Sequence, residues 1–181
     1  MTFDFPPGFD PQPRLGDGRF AIAPMEEADR DALATAAADP GIWAGHPATT
    51  RHLRPEFDRY FDVLRRGGGA LTIREGRAVI GCSAYYTDPD APGRLSIGFT
   101  FLTRAHWGGR TNRAVKALML GHLFARTREA WFHIAPVNLR SQTATTRLGA
   151  VFTHEATLDL GTGPARWRCY CLTAEAWAAS G

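Results

Sequence analysis

Gly108 and Gly109 sit in the stretch RAHWGGRTNR (104–113), directly before a helical pattern. A chain that turns on glycines into a helix exposes unpaired backbone N–H groups at the helix start. The helix dipole adds positive potential there, and glycines let a ligand approach without a Cβ in the way. This is chemistry for holding a phosphate group. Arg110 and Arg113 add charge-assisted donors. The same residues also suit a plain helix cap, with Thr111 or Asn112 at the N-cap. Neither G-x-x-x-x-G-K-[ST] nor G-x-G-x-x-G occurs, so the glycine pair alone does not decide between cradle and cap. A second polar pair follows in NLRS: Asn138 at a strand end and Ser141 at the next helix start, where capping is again the plain alternative.

These residues must be positioned by the elements around them. After a proline- and glycine-rich arm (1–18), RFAIAP reads as a strand. The segment 25–40 reads as a helix with Met25, Ala28, Ala32, Leu33 and Ala36 at helical spacing. The segment 55–66 is a second helix, with Phe57, Tyr60, Phe61 and Leu64 on one stripe. Strands follow over 70–86, a hairpin turning at Glu75–Gly76, then a loop at 87–93. RLSIGFTFL alternates, with Leu95, Ile97, Phe99 and Phe101 on one face. The helix over 112–126 has Val115, Leu118, Met119, His122 and Leu123 as its buried stripe. AWFHIAPV is a strand, 138–149 a short helix closed by Gly149, and 150–160 and 165–173 a final hairpin through GTGP, before a short tail. The order is mixed α/β in one domain, 19–181, behind the arm. The strand–helix–strand crossover makes strands 95–102 and 130–137 parallel. Their C-terminal ends then lie side by side, which brings Asn138 and Ser141 to the glycine loop, at the sheet edge where ligands of open α/β sheets bind.

Composition bounds the function classes. The chain has 181 residues, 44% hydrophobic and 22% charged, with a net charge of +3. It carries no basic block or basic–aromatic run, which argues against nucleic acid as a partner. No apolar run of about 20 residues and no leader pattern is present, so neither a membrane span nor secretion is expected. Cys82, Cys169 and Cys171 lack metal or disulfide spacing and fit a reducing cytoplasm; no metal is expected. Lys116 is the only lysine; arginine supplies the other cations.

HWGGRTNRAVKALMLGHLF followed by NLRSQTATTRLGAVF resembles the GNAT acyl-CoA-dependent N-acetyltransferases. The branch it is most similar to is that of the ribosomal-protein N-terminal acetyltransferases, which RFAIAPMEEADRDALATAAADPGIW also resembles. The resemblance spans roughly Arg19 to Trp177. It implies a mostly antiparallel twisted sheet whose parallel central strand pair splays at the cofactor site, flanked by about four helices. It implies acetyl-CoA as cosubstrate, with Trp107, Gly108, Gly109, Arg110, Thr111 and Asn112 around the pyrophosphate and the backbone of Phe101, Leu102 and Thr103 along the pantetheine arm. Asn138 matches the asparagine that contacts that arm, and Ser141 the residue near the sulfur, a candidate for protonating the leaving thiolate. The sequence departs from the pattern at Arg110 (Gly or Ala in relatives), at Ala114 (frequently Glu) and at Ser96 (a carboxylate in many).

The acceptor implied is a primary amine, of a protein N-terminus or a small molecule. A lysine-type amine of pKa ~10.4 is neutral about once in 2,500 molecules at pH 7, an α-amine of pKa ~7.7–8.0 about once in ten. Without a carboxylate at Ser96, the α-amine is the easier acceptor. Glu155 is the preferred replacement base, with His154, His133 and His106 as others. Trp43, His46 and Arg51, between the first two helices, are the candidate acceptor-pocket residues. A non-catalytic acyl-CoA-binding domain is the alternative, and a homodimer is allowed.

Overall fold

The computed structural model describes residues 2–88, 91–161 and 163–180. The centres of two expected connections, 89–90 in the 87–93 loop and 162 in the GTGP turn, lie outside the described residues. Eight strands form one sheet: β1 (Leu15–Gly16), β2 (Phe20–Pro24), β3 (Ala70–Glu75), β4 (Ala78–Asp88), β5 (Ala91–Leu102), β6 (Glu129–Ile134), β7 (Val151–Asp159) and β8 (Pro164–Thr173). Their order is β1-β2-β3-β4-β5-β6-β8-β7. Every pairing is antiparallel except β5 with β6. Six helices flank it: α1 (Arg30–Ala37), α2 (Pro40–Trp43), α3 (Arg54–Gly67), α4 (Thr111–Phe124), α5 (Leu139–Thr146) and α6 (Ala174–Ala179). Two of these, α2 and the tail helix α6, are single short turns beyond the four expected.

The two main hydrophobic clusters lie on opposite faces of the sheet. One joins Leu95, Ile97 and Leu102 of β5 to Val115, Met119, Leu120 and Leu123 of α4. The other joins Phe101 to Trp43, Phe57, Tyr60, Phe61 and Leu64. Phe101 and Leu102 therefore face opposite ways, and the unbroken alternation expected for β5 is corrected. The register passes from Ala84↔Gly98 to Cys82↔Phe101, so β5 spends one residue more than β4. Phe99 absorbs the extra residue with a left-handed φ of 53°. This is a β-bulge, and it reverses the side-chain phase beyond it.

Two helix faces are also corrected. A 3-10 turn over Glu27–Asp29 precedes α1 and leaves Ala28 and Ala32 exposed, while Leu33, Ala36 and Ala37 are buried. In α4 the buried residues are Thr111, Val115, Lys116, Met119, Leu120 and Leu123. The stripe is thus rotated from the expected one: Leu118 and His122 lie at its margin, and a lysine is inside.

The arm packs onto the α4 face. Phe9 is buried against Tyr85, with ring centroids 5.2 Å apart, and Asp10 offers its carbonyl to His122 at 2.7 Å. Among the described residues no helix is long and apolar enough to cross a membrane.

Candidate active site

Among the described residues, β5 and β6 are paired only at Ser96↔Trp131. Beyond that point they diverge, and a cavity of about 1090 Å³ fills the wedge, walled by residues from Ile97 to Leu102 on one side and from Phe132 to Asn138 on the other. The bulge sits on this wall. Gly81 makes the close approach possible: a Cβ there would lie 2.0 Å from the Phe101 carbonyl oxygen.

The wall brings together Trp43, His46, Arg51, Phe101, Leu102, Trp107, Gly108, Asn112, Asn138 and Ser141. Thr103, Gly109 and Thr111 lie next to wall residues in the chain but not on the wall, and Arg110 between the last two is also off it. The Thr103 N–H is used in the sheet, donating to Ile80 O at 2.8 Å. Glu155 is also off the wall; its carboxylate pairs with Arg166, which is on it.

The glycine loop is not capped by a side chain. Arg110 occupies the N-cap position of α4 and makes no capping bond, and Thr111 and Asn112 fall inside the helix. The orphan N–H groups at the start of α4 are therefore without the side-chain partner that a cap would supply. Gly108 has the left-handed φ of 69° that suits glycine. No heavy atom lies within 4 Å of the Cβ position at Gly108 or Gly109. Arg113 is engaged elsewhere, donating to the Ser180 carbonyl and lying over Trp177. Trp107 anchors the loop by donating Nε1–H to Leu102 O at 2.9 Å, and the Arg140 guanidinium covers its ring at 3.9 Å.

Asn138 does cap α5: its Oδ1 accepts the Ser141 N–H at 3.2 Å. The Asn138 amide NH2 and the Ser141 hydroxyl have no protein partner among the described residues, and both residues face the cavity. The cap fixes the asparagine and leaves its donor available.

Two settings were missed by the sequence reading, although it named Lys116 as the only lysine and His133 as an alternative base. Lys116 is buried with its Nζ donating to Thr100 Oγ1 at 2.7 Å and Ser83 Oγ at 3.2 Å, at the bulge. Burial lowers its pKa from 10.5 to about 7. Being the sole lysine in an arginine-rich chain was the only signal. The second group is Tyr86, His133 and Asp88. Tyr86 Oη lies 2.8 Å from His133 Nδ1, and His133 Nε2 lies 3.4 Å from Asp88 Oδ2. Tyr86 and His133 line the cavity, and burial raises the Tyr86 pKa. The strand pairing that assembles this trio is not visible in local sequence. Ser96 is fully buried, in register with Tyr86 and Trp131. Of the other candidate bases, His106 is held by Thr103 Oγ1 (2.6 Å) and Glu75 Oε2 (3.1 Å), and His154 by Thr153 Oγ1 (2.9 Å).

The wall is cationic. Arg51, Lys116, Arg140, Arg147 and Arg166 contribute to it, and among the described residues no Asp or Glu does. Among the described residues there is also no group of three His, Cys, Asp or Glu side chains that could hold a metal ion.

Residues 19–151 match the family model described as Acetyltransferase (GNAT) domain. A GCN5-related N-acetyltransferase from Brucella melitensis is similar in structure with a TM-score of 0.76 at 15% identity, covering 96% of this chain and 86% of that one. An acetyltransferase from Agrobacterium tumefaciens str. C58 has a TM-score of 0.60 at 22% identity, covering 88% and 94%. Mycobacterium smegmatis RimJ in complex with CoA-disulfide has a TM-score of 0.64 at 16% identity, covering 91% and 87%. At these identities the likeness is one of fold. No curated protein matches the sequence.

Proposed function

Because the chain belongs to the GNAT acetyltransferase family, we propose that it transfers an acetyl group from acetyl-CoA to a primary amine of a protein N-terminus or a small molecule. The observation that carries this is the uncapped start of α4 behind Gly108 and Gly109, opening onto the wedge between β5 and β6. Its N–H groups, with Trp107 to Asn112 around them, suit a pyrophosphate. The β5 edge from Ile97 to Leu102 has no ladder to β6 and offers backbone groups to an extended arm. The W-G-G and N-x-x-S pattern favours the branch of the ribosomal-protein N-terminal acetyltransferases, and the three free cysteines favour the cytoplasm.

Acetyl-CoA supplies an activated acyl carbon when bound. The chain supplies position and polarity. The Asn138 amide, oriented by its cap, would donate to the arm, and Ser141, on the cavity wall, is our candidate for protonating the leaving sulfur. Backbone N–H groups near the bulge stabilise charge on the carbonyl oxygen. With no carboxylate among the described residues of the wall, the acceptor's proton passes to a group with a free lone pair at neutral pH. We assign that role to Lys116 rather than to Glu155, since Lys116 is on the wall and titrates near pH 7. Such a weak base favours α-amines, which are already partly neutral, over lysine-type amines.

The test is thiol release from acetyl-CoA over an amine panel. A higher kcat/KM for α-amines than for lysine-type amines is expected, and the reverse order would remove the base assignment. The second reading, a non-catalytic acyl-CoA-binding domain, draws on the absence of a wall carboxylate. It predicts cofactor binding with no thiol release by any amine.

A further inference from the structure

The part of the cavity near the bulge carries a cation that no described residue pairs by hydrogen bond or ion pair. The Arg51 guanidinium lies 3.9 Å from the Tyr60 ring centroid and 5.2 Å from that of Trp43. Tyr60 is pinned by its hydroxyl, which donates to Phe99 O at 2.7 Å, so Arg51 stands beside the bulge. Burial lowers the pKa of Arg51. Among the described residues its guanidinium has neither a hydrogen-bond nor an ion-pair partner, while neighbouring Arg140 is spent on Ile42 O at 2.5 Å and on Trp107. A half-desolvated, unpaired charge is costly unless a ligand completes it.

His46 also packs on Trp43, edge-to-face with ring centroids 5.5 Å apart. Its Nδ1 accepts the Ala48 N–H at 2.9 Å. Burial, with Arg51 and Arg140 nearby, pushes its pKa down to about 4, so the ring is neutral at pH 7. A neutral ring whose Nδ1 accepts must carry its proton on Nε2. His46 is thus a second fixed donor and not a base. A planar guanidinium fork seated on aromatic faces, with an imidazole N–H nearby, matches the oxygens of a carboxylate. No Asp or Glu among the described residues of the wall competes for them.

Resting on the acetyl-transfer reading, we propose that Arg51 and His46 form a carboxylate-binding subsite and that the acceptor is an amine that itself carries a carboxylate. The carboxylate is that of a free amino acid or of an acidic first residue in a peptide, and matched pairs separate the two sources. One pair is L-phenylalanine and its amide; the other is two peptide amides that differ only in Asp or Asn at the first position. Thiol release is measured for each and expressed per neutral amine. The carboxylated member of at least one pair is expected to have kcat/KM about ten-fold higher or more. Arg51→Gln is expected to bring that ratio near one.

A ratio near one in both pairs for the wild type overturns the proposal, and that result decides even if the variant misfolds. Loss of acetyl-CoA affinity in Arg51→Gln overturns it too, by giving the arginine to the cofactor. So does an Arg51-dependent preference for succinyl-CoA over acetyl-CoA, which gives it to the acyl chain. If no amine is acetylated, calorimetric binding of the same pairs in the presence of CoA reads the subsite alone. A carboxylate preference lost in Arg51→Gln then keeps the subsite and removes the transfer reading; no preference removes both.

Discussion

Lys116 concentrates the physical tension of this molecule in one side chain. Its Nζ is buried and held by two hydroxyls, with burial bringing the pKa from 10.5 to about 7. In the unfolded chain the amine stays protonated up to about pH 10.5. Between pH 7 and that value the unfolded state binds the extra proton, so stability rises with pH across this window. Below pH 7 both states are protonated and the cost of burial is fully present. Lys116→Met is therefore expected to gain most over the wild type near pH 6, with the gap narrowing toward pH 10; urea denaturation at several pH values measures it, and a pH-independent gap contradicts it. Cys82, which burial raises from 9.0 to about 12, gives the opposite trend and feels Lys116, so the gap is read below pH 9. Asn138 has two roles that a single substitution separates. Asn138→Ala should lose about 1 kcal/mol of stability with its cap and weaken acetyl-CoA binding as well. A loss of stability with unchanged affinity confines the residue to capping. Ser141→Ala is expected to lower kcat while leaving KM for acetyl-CoA nearly unchanged; an unaltered kcat removes its role at the sulfur.

The bulge in β5 and the loop after it do the positioning at the level of elements. Gly109 is not left-handed and has open space where a Cβ would go. Gly109→Ala should thus fold with stability within about 0.5 kcal/mol of the wild type while binding acetyl-CoA more weakly. Unchanged affinity would argue that the loop is only a turn. This contrast shows what local sequence carries. Strand and helix periods fixed most elements, because Phe57, Tyr60, Phe61 and Leu64 do bury at a 3.6-residue period. The parallel pairing of β5 with β6 followed from the crossover, and with it the approach of Asn138 to the glycine loop. The phase reversal at Phe99 was not legible, because a bulge is set by the partner strand: Gly81 permits it and Tyr60 bonds the freed carbonyl. Nor was the burial of Lys116, since its hydroxyl partners on β4 and β5 are 33 and 16 residues away. Glu155 looked available in sequence only because its pairing with Arg166 is a cross-hairpin contact.

Across the whole molecule, one sheet serves two faces and a split. The arm seals the α4 face through Phe9, stacked among Phe5, Tyr85 and His122. Phe9→Ala should cost about 3–5 kcal/mol, read as a lower urea midpoint; a surface-like loss below about 0.5 kcal/mol would mean the arm is dispensable. The split between β5 and β6 is the feature on which every functional statement depends. Calorimetric titration of the intact chain with acetyl-CoA tests it most directly. The account predicts one molecule bound per chain with a Kd between about 1 μM and 1 mM, weakened in Gly109→Ala and Asn138→Ala. Absence of binding at millimolar acetyl-CoA, or binding that neither variant alters, would contradict it.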